Sequence, residues 1–337
     1  MINDQLKWFG IPALLAAIAI GCSSSPDSNA PNTASEEIAS KVVAVTQIVE
    51  HPSLDAVRDG VKDELAAAGY KPGENLEWMW ESAQGSPAIA AQIASKFAGE
   101  QPDLIIAIAT PSAQAVVSAT DQIPILFSAI TDPLGAKLVS DLDHPGGLVT
   151  GVSDLSPIAQ HLDLIAEIRP DAKRIGVLYN AGEANSVSLI NLLKQEVPER
   201  NMTLVEATVS NSGEAATAAR SLVGKVDVIY IPIDNTVATA AESVIQVGLD
   251  NQLPVFAGDT DTVKQGAIAT LSFNYYDVGR QTGQMALRLF EGEKPGNMPV
   301  ETAEKLELSL NLSAAEAMGV IIPESVVSRA DEVFETF

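Results

Sequence analysis

One cysteine, three histidines and 5% aromatic residues are all that 337 positions supply, and each shortage closes off a class of function. A single thiol forms no internal disulfide, so stability has to come from apolar cores. Three scattered histidines and that thiol make neither a metal centre nor an activated nucleophile. The chain also lacks a GxSxG elbow, a P-loop, a dinucleotide fingerprint and an HExxH pair. Nothing therefore points to an enzyme or to a cofactor. Basic residues are scarce as well: 20 Lys and Arg stand against 44 Asp and Glu, a formal charge of −24. A field of that sign repels nucleic acid and discourages docking on anionic lipid. It selects no ligand.

Long hydrophobic runs are also missing. Residues 8–20 are the one candidate, too short to span a bilayer comfortably but of the length of a signal-peptide core. The run follows Lys7 and ends at Ala19, Ile20, Gly21 and Cys22, which resembles a lipoprotein signal with Cys22 as the lipidated first residue. Residues 23–37 then have the Ser, Pro and Asn composition of a tether. The expectation is a signal over 1–21, a tether over 22–40, and an extracytoplasmic protein held at the cell envelope by lipid.

What is present is an alternation of apolar, β-branched runs with amphipathic segments. Strands are expected at 42–45, 76–80, 104–109, 123–127 and 148–152, with helices at 54–68, 88–98 and 112–120 between them. Continuous apolar strands separated by helices signify a parallel sheet covered on both faces. The pattern then repeats. Residues 43–47 (VAVTQ) match 175–179 (IGVLY), 103–106 (DLII) match 227–230 (DVIY), 123–126 (IPIL) match 253–256 (LPVF), and 147–153 (GLVTGVS) match 266–272 (GAIATLS). The order and the Asp and Pro punctuation are kept. The fold class read from this is α/β: two doubly wound parallel-sheet lobes joined by a multi-crossover hinge. Amphipathic helices after Ser153 and Ser272, at 158–168 and 278–290, mark two crossovers, and 306–312 a third. Lobe one is then 41–153 plus 276–303, and lobe two 154–275 plus 304–337. Such a hinge permits closure around a ligand.

With those segments placed, the chain resembles the ABC-transporter substrate-binding family associated with tryptophan and tyrosine uptake. The resemblance runs from Val42 to Gly319. It is carried by VAVTQIVEHPSLD (43–55), DLIIAIATPSAQ (103–114), FSAITDPLGAKLV (127–139), GVSDLSP (151–157), IGVLYNAGEANS (175–186), VDVIYIPIDNTV (226–237), PVFAGDTD (254–261) and FNYYDVGRQTG (273–283). It implies a type I periplasmic-binding fold, a small-molecule ligand, and an ABC permease with its ATPase as partners. An aromatic amino acid is the ligand it favours.

Ligands of open α/β sheets bind outside the carboxyl ends of the strands. In lobe one those ends fall at Gln47, Thr110, Ser128 and Ser153; in lobe two at Tyr179, Asp234, Asp259 and Ser272. Thr110 before Pro111 reads as a helix cap, with N–H groups near Ser112 suited to a carboxylate. Ser128 to Asp132 offer hydroxyls and a carboxylate, or, for Asp132, an Asx turn. The loop with Tyr179, Asn180, Glu183, Asn185 and Ser186 carries more polar groups than a turn requires. Asn185 or Ser186 would alternatively cap a helix from Val187, and Tyr179 would either stack on a planar ligand or pack between lobes. Asp234 with Asn235 caps the next helix or meets the ligand, and Asp259 is the first choice for an ammonium. Trp78 and Trp80 share one strand face and read as lobe-one packing. His51 lies in the first loop, within reach of a ligand; His144 and His161 read as surface residues. Two other readings stand beside transport of an amino acid: a sensing lipoprotein coupled to a receptor, and a binder of a nucleoside or other small planar solute.

Overall fold

The computed structural model describes residues 39–303 and 305–337. The expected signal over 1–21, Cys22 and the tether up to residue 38 lie outside the described residues. Along the chain come β1 (Lys41–Gln47), α1 (Pro52–Ala67), β2 (Leu76–Ser82), α2 (Pro87–Glu100), β3 (Leu104–Ile108), α3 (Thr110–Ala119), β4 (Ile125–Ile130) and β5 (Val149–Ser153). The chain then runs through α4 (Ile158–Ile168), β6 (Arg174–Asn180), α5 (Ala184–Glu199), β7 (Thr203–Val209), α6 (Ala215–Leu222), β8 (Val228–Ile231), α7 (Asn235–Ala238), α8 (Ala241–Asn251), β9 (Val255–Ala257), α9 (Thr260–Lys264) and β10 (Ala269–Phe273). It ends with α10 (Tyr275–Phe290), β11 (Glu301–Thr302), β12 (Leu306–Asn311), α11 (Leu312–Ala317), α12 (Glu324–Val327) and β13 (Glu332–Phe334).

The first sheet has the order β11-β5-β4-β3-β1-β2 and the second β7-β6-β8-β9, with β10-β12-β13 as a third. Matching strands of the repeat hold matching places: β1 and β6, β3 and β8, β4 and β9 follow the same order. Even the punctuation does the same work twice. Asp103 accepts from Val42 N–H at 2.8 Å, and Asp227 from Lys173 and Arg174 N–H at 2.9 and 2.8 Å. The Pro124 carbonyl accepts from Ile105 and the Pro254 carbonyl from Ile229. The second lobe departs from the expected all-parallel sheet at its far end. There β10 pairs antiparallel with β12, and Ile268 N–H to Val255 O at 2.7 Å joins this piece to β9.

Two hydrophobic cores follow this division. One gathers β1 to β5 with Phe273, Tyr275, Val278, Met285, Ala286 and Met298; the other gathers α4 to β10 with Leu308, Leu310, Met318 and Val326. Each fully buried aliphatic or aromatic side chain contributes on the order of 1.5–3 kcal/mol. Helix α10 belongs to the first core although it follows the second sheet. It lies against α1 so closely that a Cβ on Gly279 would stand 2.1 Å from Val57 O, and one on Gly60 would stand 2.2 Å from Tyr276 O. The chain therefore crosses between the cores after β5, after β10 and again before β12. Trp78 and Trp80 pack on the first core, with Arg58 stacked 4.7 Å from the Trp80 ring.

Candidate functional site

The carboxyl ends of the two sheets meet across a narrow cavity of about 30 Å³. Lobe one lines it with Val49, His51, Ser53, Leu54, Ala109, Thr110, Ala129 and Thr131; lobe two with Asn185, Ile233, Asp234, Asn235, Ala238 and Asp259. Asp154 and Tyr275, from the first two crossovers, complete it. A wider groove of about 970 Å³ opens beyond it and shares Val49 and Asn235 with it. Two hydrogen bonds bridge the lobes: Ser53 Oγ to Asp261 Oδ2 at 2.7 Å, and Ser188 Oγ to Asp132 Oδ2 at 2.8 Å. The lobes are closed on each other.

Three carboxylates line the cavity and no lysine or arginine does. Asp234 caps α7 through Val237 N–H at 2.7 Å and also accepts from Asn180 N–H and Ser186 Oγ, both at 2.6 Å. Its burial, and then the charge of Glu183, raise its pKa to about 6. Asp259 caps α9, accepting from Thr262 N–H and Oγ at 2.8 and 2.7 Å. Asp154 accepts from Tyr275 Oη at 2.9 Å and Thr131 Oγ at 3.4 Å, so it ties two crossovers together. Burial pushes it up to about 6 against those hydrogen bonds.

Lobe one approaches the cavity on unusual backbone. Ala109 has φ 70° and ψ 151°, and Ala129 has φ 54°. Such conformations cost a non-glycine residue about 1–3 kcal/mol and concentrate at binding sites. The Ala109 turn corrects the expected Thr110 cap. Ala109 holds the cap position without a side-chain bond, Thr110 is the first helical residue, and its hydroxyl is left without a partner.

Of the residues singled out from sequence, His51, Thr110, Asn185, Asp234, Asn235 and Asp259 line the cavity, and Asn180 and Glu183 the outer groove. The others lie away from both. Gln47 donates to Val49 O and Asp55 and accepts from Trp80. Ser112 is buried with its hydroxyl unpartnered, and Ser128 pairs with Thr282 at 2.6 Å. Asp132 takes the Asx-type bond from Gly135 N–H at 2.8 Å besides its bond from Ser188. Tyr179 packs in the second core and donates to Glu206 at 2.8 Å, so its ring is absent from the cavity wall. Asn185 and Ser186 do not cap a helix at Val187, because α5 begins at Ala184 with Glu183 in the cap position. The Glu183 carboxylate instead fastens the first turn of α7, accepting from Asn235 Nδ2 and Thr236 Oγ, each at 2.6 Å. Asp259 follows β9 by two residues and belongs to the next helix rather than to the strand.

His144 is exposed as expected, but His161 is not. Its Nδ1 lies 2.7 Å from Tyr230 Oη and its Nε2 2.6 Å from Leu271 O. Burial lowers its pKa to about 4, against the raising effect of the Leu271 carbonyl. Of the hydroxyls expected over 128–132 it is Thr131 that lines the cavity, and sequence reasoning missed Asp154 and Tyr275. The signal was present: Asp154 directly follows Ser153, and Tyr275 follows β10 by two residues. A crossover that floors a cleft offers its first residues to the ligand.

Comparison with known proteins places this geometry. The family model "ABC transporter substrate binding protein" matches residues 42–334. A curated relative from Clostridioides difficile, the "Tyrosine-binding protein", is 39% identical over 300 residues, covering 88% of this chain and 87% of its own. A conserved domain protein from Vibrio cholerae is 51% identical with a TM-score of 0.86, over 88% of this chain and all of its own. A Streptococcus pneumoniae structure in complex with L-Trp is 35% identical with a TM-score of 0.85 at the same coverage. A ligand-free, open structure of a Clostridium difficile substrate binding protein is 39% identical, again at that coverage, but overlays with a TM-score of only 0.68. This chain thus resembles the L-Trp complex more than the open form, in keeping with the two bonds across its lobes. Substrate-binding proteins of this kind work outside the cytoplasm and catalyse no reaction, and among the described residues no helix is long and apolar enough to cross a membrane. The chain belongs to the ABC transporter substrate-binding protein family, with the type I periplasmic-binding fold.

Proposed function

We infer that the cavity takes a free aromatic amino acid, tyrosine or tryptophan, which the chain delivers to an ABC permease and its ATPase. The observation that carries this reading is the polar content of the cavity: among the described residues it is lined by three carboxylates, buried hydroxyl and amide groups and the His51 imidazole, with no lysine or arginine. An α-ammonium supplies the missing positive charge, and charge-assisted bonds of that kind are the strong ones. Val49, Leu54, Ile233, Ala238 and the Tyr275 ring give the cavity its apolar wall. The relatives that carry tyrosine in their name or L-Trp in their structure support the aromatic choice.

Calorimetry with the twenty amino acids, nucleosides and sugars tests the ligand. Ligand at about 100 times its Kd stabilises a two-state protein by roughly 2.7 kcal/mol, so a thermal-shift screen serves as the first pass. Heat from L-tyrosine or L-tryptophan alone is the expected result; heat only from a nucleoside would overturn it. The anchor belongs to the same reading. Cys22 carries the lipid after removal of residues 1–21, so Cys22→Ala leaves the protein soluble or unprocessed. Unchanged membrane fractionation and processing of that variant would refute the lipoprotein assignment.

A further inference from the structure

Gln47 lies outside the cavity, yet it is fully buried and both ends of its amide are engaged. Its Nε2 donates to Val49 O at 2.9 Å and to Asp55 Oδ1 at 2.8 Å, and its Oε1 accepts from Trp80 Nε1 at 3.3 Å. These partners fix which end of the amide is which, because an indole N–H only donates and a carbonyl or carboxylate only accepts. Arg58 Nη1 donates to the same Asp55 oxygen at 2.8 Å, and its guanidinium stacks 4.7 Å from the Trp80 ring. The four side chains form a closed ring that joins β1, β2 and the first two turns of α1. Register brings them together. Val45 stands opposite Trp80 and Gln47 opposite Ser82, so Gln47 and Trp80 are diagonal neighbours on the sheet face that α1 covers.

The ring is tied to the loop that leads from β1 into α1. That loop and the start of α1 supply Val49, His51, Ser53 and Leu54, four of the eight lobe-one residues on the cavity. They also supply Ser53 Oγ to the bond with Asp261 across the lobes. The loop's carbonyls are held in succession. Gln47 O accepts from Ala83 N–H at 2.9 Å and Ile48 O from Gly85 N–H at 2.6 Å, both from the loop after β2. Val49 O accepts from the Gln47 side chain, and His51 O accepts from Asp55 N–H at 2.9 Å as α1 begins. The two donors of one amide are therefore divided between the loop and the helix. One sets where Val49 stands, and the other sets where α1 starts. A carboxylate of the same shape has no donor, and a thioether of similar length has none either.

We propose that Gln47 is a positioning residue for ligand binding: without touching the ligand, its amide holds the 49–54 wall of the cleft in the geometry the ligand meets, with Trp80, Arg58 and Asp55 as the frame that holds the amide. The choice of an amino acid as ligand rests on the reading above; the fixing of this wall does not. A wall held in place before binding spares the complex the entropy of ordering it. A buried polar network with every member satisfied also specifies a single geometry. The ring therefore contributes to affinity as well as to the stability of lobe one.

The test separates positioning from folding. L-tyrosine affinity is measured by calorimetry, and amide hydrogen exchange at residues 48–55 is followed with and without ligand. The proteins compared are the wild type, Gln47→Met, Gln47→Glu, Trp80→Phe and Thr150→Val. Thr150→Val is the control: it removes a buried bond to Met298 O, 2.9 Å long, from β5, which β4 and β3 separate from β1. Gln47→Met removes both donors and is expected to weaken L-tyrosine about tenfold. Gln47→Glu also sets a second carboxylate against Asp55 and is expected to weaken it further. Trp80→Phe leaves both donors in place and should cost about threefold; it decides the matter if neither Gln47 variant folds. Thr150→Val lowers the melting temperature and should leave affinity within about twofold of wild type. In free Gln47→Met, exchange should quicken at residues 48–55 and not in β3 or β5, and saturating L-tyrosine should restore protection. Gln47→Met that binds as tightly as Thr150→Val would overturn the proposal, and so would exchange that quickens evenly across lobe one, since Gln47 would then serve the core alone. Failure of every aromatic amino acid to bind the wild type removes the ligand class instead, and the exchange pattern of the free proteins still decides whether Gln47 fixes the wall.

Discussion

Acidification should weaken ligand binding through Asp154. This carboxyl sits on the first crossover, and its local contacts all come from the lobe-one side and the second crossover: Ile130 O to its N–H, Thr131 Oγ and Tyr275 Oη to its side chain. Its burial holds its pKa at about 6, above the ordinary 3.8. An ammonium beside it favours the ionised form and lowers the pKa in the complex. From about pH 7.5 to about pH 5 the free carboxyl goes from almost wholly ionised to about one-tenth ionised, so Kd should rise about tenfold from this group alone. The α-ammonium and carboxylate of L-tyrosine do not titrate in that window. Calorimetry at the two pH values measures the change, with Asp154→Asn as the control. Asn retains an acceptor for Tyr275, binds more weakly at neutral pH, and should lose about a tenfold share of the pH dependence. Linkage without ligand has the opposite sign: a raised carboxyl binds more protons folded than unfolded, so this group's contribution to stability declines as pH rises from about 4 to about 6. An affinity for L-tyrosine that is flat across the window, in protein that stays folded, would refute the reasoning.

Other consequences are open to measurement. His161 has a folded pKa of about 4, below its ordinary 6.5. Its contribution is complete above about pH 6.5 and is lost as pH falls towards about 4, on the order of 3 kcal/mol in all; urea midpoints of the wild type and His161→Gln should therefore converge on acidification. Gly279→Ala drives a methyl into Val57 O and should cost about 1–3 kcal/mol or more, read as a lower melting temperature, whereas an unchanged melt would mean α1 and α10 separate easily. Ser188→Ala removes one bond across the lobes, worth about 1 kcal/mol, and should weaken ligand binding several-fold without changing the urea midpoint of either core.

The lobes were legible because the same physics was written twice. Apolar strands such as 104–108 and 228–231 carry the same aspartate before them and a proline-led strand after them, and both aspartates turn out to close the start of the neighbouring strand. Helix α4 falls at the residues its periodicity marked. The site was less legible, because a strand end says where a residue lies and not where its side chain points. Tyr179 and Asn180 are adjacent on β6, yet one donates to Glu206 in the second core and the other faces the outer groove. Glu183 looked like a ligand group and proved to be a cap for a helix fifty residues on, a long-range partner that no local pattern announces. His161 looked like a polar position on an amphipathic helix; only the meeting of Tyr230 and Leu271 above it shows that it is enclosed. The residues missed outright, Asp154 and Tyr275, lie where the chain changes lobes, and their importance follows from topology rather than composition.

The excess of carboxylates in the cavity also bears on why the lobes close. Asp154, Asp234 and Asp259 approach one space from three directions with no lysine or arginine among the lining residues. Keeping carboxylates ionised in a low-dielectric site is unfavourable, and burial is the first cause of the raised pKa values of Asp154 and Asp234, with the charge of Glu183 adding to the latter. Against it stand two bonds between the lobes, Ser53 to Asp261 and Ser188 to Asp132, each worth about 1 kcal/mol. At neutral pH that balance does not favour an empty closed cleft. A ligand ammonium reverses it by supplying the counter-charge, so binding and closure become one event, with the crossovers at residues 154–157 and 274 and the one ahead of β12 as the hinge. Small-angle scattering near pH 7.5 should then report a smaller radius of gyration with L-tyrosine than without, and Asp234→Asn should narrow the difference by making the empty cleft easier to close. Identical profiles in the two states, with binding confirmed by calorimetry on the same sample, would show that the bonds across the lobes already outweigh the cost of the buried charges and that the ligand enters a cleft closed in advance.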